Sequence, residues 1–167
     1  INPDEIQIGI LKRLRGTPII RHTDDYDMRF NPLPPYNILS NRDIDFATMQ
    51  RLGRFSRYWD IIINNGRFNN SKELILGDDP FNNFLTLSDW IFEGTQQTHK
   101  FSLQRLFKLL YLGMTDCLKI DASCVEEKLL LDFEASGIKG LPKFNMKQNK
   151  QTSRQLQGSQ RQQRHNH

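Results

Sequence analysis

Cysteine and histidine are scarce in this chain of 167 residues, with two of the first and four of the second. Six residues separate Cys117 from Cys124, a spacing that matches neither a C-x-x-C metal knuckle nor a disulfide framework. Both read as reduced cysteines of a cytoplasmic protein, one or both packed in the core. No apolar run approaches the ~18–20 residues that span a bilayer, and no signal-peptide pattern precedes the first periodic segment, so no membrane partner is expected. The G-x-S-x-G, G-x-x-x-x-G-K-[ST], G-x-G-x-x-G and H-E-x-x-H patterns are all absent. Their absence removes the sequence case for the commonest hydrolases, nucleotide-binding proteins and zinc proteases. The first residues are Ile-Asn-Pro rather than a Met, which reads as a piece of a longer protein.

Charge is present in both signs but unevenly placed. The formal net charge is +4, yet residues 147–167 (KQNKQTSRQLQGSQRQQRHNH) hold five basic residues and no acid. Without them, 18 Lys and Arg face all 19 Asp and Glu, and the body carries about −1. The overall basicity therefore describes the tail and gives no sign of nucleic-acid binding by the folded part. With one Leu as its sizeable apolar residue, the tail cannot bury enough surface to offset its ordering entropy and is expected to be disordered.

The remaining residues are enough for a single hydrophobic core. Residues 5–11 (EIQIGIL) place Ile at 6, 8 and 10 and read as a short buried strand, which KRLRG then turns outward. Pro18, Pro32, Pro34 and Pro35 rule out a long helix before residue 40, and DMRF and YNIL either pair across NPLPP as a hairpin or run extended. Ile44, Met49, Leu52, Phe55, Trp59, Ile62 and Ile63 then recur at helical steps, with Asn41 or Asp43 as the cap and Asn64-Asn65-Gly66 as the stop. Asp79-Pro80 opens a second helix that fades at Gly94, with Asp78 and Asp79 as a capping pair. Ser102 caps a third, and a fourth runs from about Ser123 to Ser136, with Glu126 and Glu127 in its first turn, and closes on Gly137. No repeat recurs at a period of twenty to fifty residues. The fold class is mainly α, about four helices preceded by a short strand and a proline-rich extended segment.

The candidate chemistry is thin in acids and richer in cations. His22 lies beside Asp24 and Asp25, but a donor set drawn from one proline-bounded loop is a poor metal site and reads more simply as a polar loop. His99 reads as a surface or capping residue. Lys12, Arg13 and Arg15 follow the expected strand; at the carboxyl end of a strand in an α/β barrel, such a cluster would face the active-site mouth and hold a phosphate or carboxylate. Arg51, Arg54 and Arg57 share the polar face of the first helix, with Tyr58 as stacking surface. That face is either solvated and paired with acids such as Asp60, or one wall of an anion site.

Several long motifs carry a resemblance. GILKRLRGTPI (9–19), PPYNIL (34–39), DFATMQRLGRFSRYWD (45–60), Asn64-Asn65-Gly66 with Phe68, PFNNFLTLSDWIF (80–92) and RQQRH (161–165) together resemble the C-terminal domain of unknown function appended to cobalamin-binding-type radical SAM proteins. The Gln- and Asn-rich tail departs from that pattern.

The resemblance implies that residues 1–16 are the last strand of a radical SAM barrel, 17–146 a helical accessory domain and 147–167 a basic tail. It also implies that the parent protein holds an iron–sulfur cluster on a C-x-x-x-C-x-x-C triad, cleaves S-adenosylmethionine and binds cobalamin upstream. This chain contains none of those ligands and needs no cofactor of its own. Its own upstream domains and an unknown substrate are then its partners. Lys12, Arg13 and Arg15, then Arg51 and Arg57, are the expected substrate contacts, as charge clamps. A helical nucleic-acid-binding module, using the arginine face and the basic tail, is the alternative from another class.

Overall fold

The computed structural model describes residues 5–140 and 142. The expected tail, with His165 and His167, lies outside them. A 3-10 turn, Pro18–His22, comes first. Strands β1 (Arg29–Phe30) and β2 (Ile38–Ser40) follow, then α1 (Phe46–Trp59), which continues into a wider π turn at Asp60–Asn64. The remaining helices are α2 (Lys72–Leu76), α3 (Pro80–Thr95), α4 (Leu103–Leu112) with a π turn at Gly113–Cys117, and α5 (Ala122–Ala135). The expected mainly helical fold is what forms.

Capping residues start all four long helices, and Ser102, as expected, caps α4 by accepting the Arg105 amide. Asp45, Asp79 and Asp121 each stand one residue before a helix and accept its free amide hydrogens, Asp45 from Thr48 and Asp79 from Asn82. Asp121 accepts from both Ser123 and Cys124. The first cap is therefore Asp45, not Asn41 or Asp43: Asn41 instead folds its own loop, accepting from the amides of Asp43 and Ile44. Asp78 caps nothing in the described residues, and with α5 starting at Ala122 the pair Glu126 and Glu127 falls in the second turn.

The core is built around aromatic rings. Phe55 and Trp59 lie one turn apart on α1 and stack at 5.6 Å, and Phe84 of α3 meets both edge-on at 5.1 and 5.0 Å. Phe107 of α4 bridges Phe68 and Phe133 of α5 at 5.0 and 5.2 Å. Each such pair adds roughly 0.5–1.5 kcal/mol beyond the area it buries. Tyr58, expected on the polar face, is wholly buried in this cluster and donates its hydroxyl to the Gln97 carbonyl at 2.5 Å. The reason is spacing: 55, 58, 59 and 62 form an i, i+3, i+4, i+7 stripe, so Tyr58 belongs with Phe55, Trp59 and Ile62.

A fifth helix, α2, escapes the periodic reading because five residues are too few to show a pattern. Ile75 anchors it, fully buried, and its entry is tied to α5. The Asp132 carboxylate, itself 2% exposed, accepts from the amide and side chain of Asn70 and from the amide and hydroxyl of Ser71.

The amino-terminal residues differ most from expectation. Residues 5–11 form no regular buried strand: Ile6 is 46% and Leu11 41% exposed. They run extended along α1, where Ser56 donates to the Ile8 carbonyl at 2.5 Å and Asn64 to that of Ile6 at 3.0 Å. A three-Ile run offers only one face to a single helix, so half of it stays uncovered. Of the two expectations for DMRF and YNIL, pairing is realised: β1 and β2 are antiparallel, with Arg29 opposite Ser40 and Phe30 opposite Ile38.

Candidate functional site

The extended leader finds its partner in β2. Ile38 donates its amide to the Leu11 carbonyl at 2.8 Å, and Arg13 donates to that of Tyr36 at 2.9 Å, so residues 11–13 lie along the free side of β2. Lys12 sits opposite Asn37 in this antiparallel bridge. Arg13 ends this paired stretch, and Leu14 and Arg15 lead out of it. A turn follows at once, closed by the Thr17 amide and hydroxyl on the Leu14 carbonyl at 3.3 and 2.7 Å. Gly16 occupies its third position at φ +77°, a conformation open to glycine and costly to residues with a Cβ.

The opposite wall comes from the proline loop. Asn31 accepts the Leu33 amide at 3.0 Å, and Tyr36 donates to the Leu33 carbonyl at 3.0 Å around a cis Pro34–Pro35 bond. Tyr36 itself is held at φ +59°, the left-handed region that an aromatic side chain rarely enters. Together these walls enclose an open cleft of about 470 Å³ lined by Arg13, Leu14, Arg15, Ile20, Pro32 and Tyr36. The lining carries two guanidiniums and no carboxylate. Arg13 is braced beneath, its guanidinium 5.1 Å from the centre of the Phe30 ring.

Of the five expected contact residues, the structure brings together Arg13 and Arg15. Lys12 precedes both in sequence, opposite Asn37, and lies outside the lining. Arg51 faces α3, with its Nε 2.6 Å from Asp89 Oδ2, and this hydrogen bond holds the guanidinium more firmly charged than usual. Arg54 shares the same carboxylate at 3.9 Å and lies 4.4 Å above the Phe92 ring. Arg57 is exposed in the last turn of α1. The arginine face is thus mostly an ion-paired helix seam, of the kind expected for the solvated reading but with Asp89 in place of Asp60.

The histidines and cysteines form no such assembly. His22 Nδ1 is 3.9 Å from an exposed Asp25 carboxylate, and His99 lies on the surface near Thr98. Cys117 and Cys124 are both free and half-buried, and burial pushes the Cys117 thiol up in pKa. Among the described residues, no group of three or more His, Cys, Asp and Glu is placed to hold a metal ion. No helix among them is long and apolar enough to cross a membrane.

Residues 24–167 match a family described as a protein of unknown function, DUF4080. The chain belongs to that family. No curated protein and no solved structure matches it. The DUF4080 match begins inside the loop that follows the 3-10 turn, so the cleft straddles its start. Pro32 and Tyr36 lie within the matched residues, whereas Arg13, Leu14, Arg15 and Ile20 precede them.

The sequence reading missed the apolar half of the cleft. Tyr36, Pro32 and Phe30 came from a segment read only as non-helical, and nothing in their spacing announces that residues 11–13 fold back on them. The one available signal was Tyr beside two prolines, a rigid turn that displays an aromatic ring.

Proposed function

We propose that this chain is a non-catalytic accessory domain of a cobalamin-dependent radical SAM enzyme, and that its basic cleft holds an anionic group of the substrate. The observation that carries this reading is the convergence of Arg13 and Arg15 on one cleft without an acid to neutralise them. The resemblance of its long motifs to such accessory domains supports that choice of parent enzyme. In this reading the upstream domains hold the iron–sulfur cluster, S-adenosylmethionine and cobalamin. Cys117 and Cys124 do not fit a cluster: they are two, six residues separate them, and burial of Cys117 favours its thiol over the thiolate that a ligand requires. The domain's work is then to place the substrate and shield the barrel mouth, with Arg13 and Arg15 as paired positive charges and Lys12 adding to the local field.

The nucleic-acid reading draws less support, because Asp89 takes up Arg51 and Arg54 and Tyr58 is buried. The deciding experiment uses the full-length parent protein, purified without oxygen, with Arg13 and Arg15 both replaced by Gln. Turnover and substrate affinity should fall by about tenfold or more while S-adenosylmethionine cleavage without substrate persists. Unchanged turnover and affinity would overturn the clamp. Salt-sensitive binding of RNA or DNA at low salt would favour the alternative.

A further inference from the structure

The walls of the cleft differ in a way that a bare anion site does not require. Two guanidiniums stand on one side, and the rest of the lining is Leu14, Ile20, Pro32 and the ring of Tyr36. Leu14 and Ile20 leave 55% and 53% of their surface in water, a large apolar exposure at one place. No described ion pair involves Arg13 or Arg15. The volume, about 470 Å³, falls in the range of sites that enclose a small organic molecule, roughly 300–1,000 Å³.

The cleft is also preformed. Backbone hydrogen bonds tie residues 11–13 to 36–38, a glycine turn fixes Arg15, and the Phe30 ring supports Arg13. Tyr36 is kept in an unfavourable left-handed conformation, a local strain of the sort that accumulates where a side chain must be aimed at a ligand.

We infer that the cleft binds a phosphate monoester with an apolar, ring-sized body, its phosphate between Arg13 and Arg15 and its body against Tyr36, Ile20, Leu14 and Pro32. A phosphate monoester near pH 7 carries close to two negative charges, which matches two guanidiniums without a neighbouring acid. The apolar body covers surface that water otherwise contacts. This rests on the reading of the cleft as a ligand site and not on the identity of the parent enzyme.

The test titrates the full chain with 2-naphthyl phosphate, inorganic phosphate and 2-naphthol, followed by equilibrium dialysis at two salt concentrations. Naphthyl phosphate should bind at one site, about tenfold or more tighter than either of the other two, and more weakly at high salt. Arg15→Gln, a change on an exposed turn, should weaken it about fivefold or more, and Tyr36→Ala should remove its advantage over inorganic phosphate. Arg57→Gln, outside the cleft, should leave it unchanged. Equal binding of naphthyl phosphate and inorganic phosphate would overturn the proposal, as would full affinity in Arg15→Gln. Selective binding alongside unchanged turnover of the Arg13 and Arg15 double variant would retain this site and remove its role in the parent enzyme. Lost turnover without naphthyl phosphate binding would do the reverse.

Discussion

Asp132 on α5 accepts both the amide and the hydroxyl of Ser71, which lies 61 residues earlier in the chain at the entry to α2. Asn70 adds two further donors to the same carboxylate, at 2.8 and 2.9 Å. No cation neutralises the group among the described ion pairs, so its burial depends on these four donors. The short helix α2 thus takes its start from a side chain on another element.

Replacing Asp132 by Ala would orphan the buried amide and hydroxyl of Ser71 and free the part-buried donors of Asn70, and should cost about 3 kcal/mol of stability. Asp132→Asn should cost less, since one carbonyl oxygen still accepts, but its amide group would meet donors. Urea denaturation of the two variants beside the parent chain checks the order. Equal stability of all three would show that the cluster contributes nothing.

The helix caps predict the response to acid. Hydrogen bonds lower the pKa of each capping carboxylate: from the Thr48 amide to Asp45, from the Asn82 side chain and amide to Asp79, and from Ser123 and the Cys124 amide to Asp121. A folded-state pKa below the unfolded one means stability that is complete above about pH 4 and is lost as pH falls through the lowered folded values. Replacing all three by Asn keeps the caps without the titration. The triple variant should show a flatter loss of thermal midpoint below pH 4 than the parent chain, and parallel acid limbs would contradict the assignment.

Two glycines in helical segments should respond with opposite sign. At Gly113, buried where α4 meets its π turn, a methyl group would overlap Leu87 Cδ1 and touch the Trp90 ring at 3.4 Å. Leu87 is itself fully buried and has little room to yield. The overlap should outweigh the gain of about 1 kcal/mol in helix propensity, so that Gly113→Ala destabilises by about 1–2 kcal/mol. At Gly53, in α1, the same methyl group meets nothing within 4 Å. Gly53→Ala should stabilise by up to about 1 kcal/mol. Chemical denaturation of both variants measures the two signs.

The seam between α1 and α3 should be weak. Arg51 and Asp89 form a close pair, but the arginine side chain is 45% exposed and water screens it. A double-mutant cycle over Arg51→Ala and Asp89→Ala should return about 0.5–1 kcal/mol, shrinking as salt is raised. A coupling above about 3 kcal/mol would mean that the pair is desolvated in solution.

The four long helices are legible in the local sequence. Three of the helix starts read from it, at Asp79, Ser102 and about Ser123, fall within two residues of the observed ones, because caps and apolar periodicity are local properties that the chain expresses without its neighbours. Proline placement likewise kept helix out of residues 24–40. Tertiary structure decided the rest. Tyr58 joined the core because of the partners that α1 meets, α2 formed because Asp132 receives its entry, and Arg51 and Arg54 turned to Asp89, 38 and 35 residues away. An aspartate on the Val125, Leu129, Phe133 stripe was a legible sign of a buried acceptor, but its donors were not. The cleft was half visible: Arg13 and Arg15 stood out as cations, whereas Tyr36 and Pro32 reach them only through the pairing of residues 11–13 with 36–38. Such pairing joins segments some 25 residues apart, and no local pattern encodes which free strand edge an extended leader will choose.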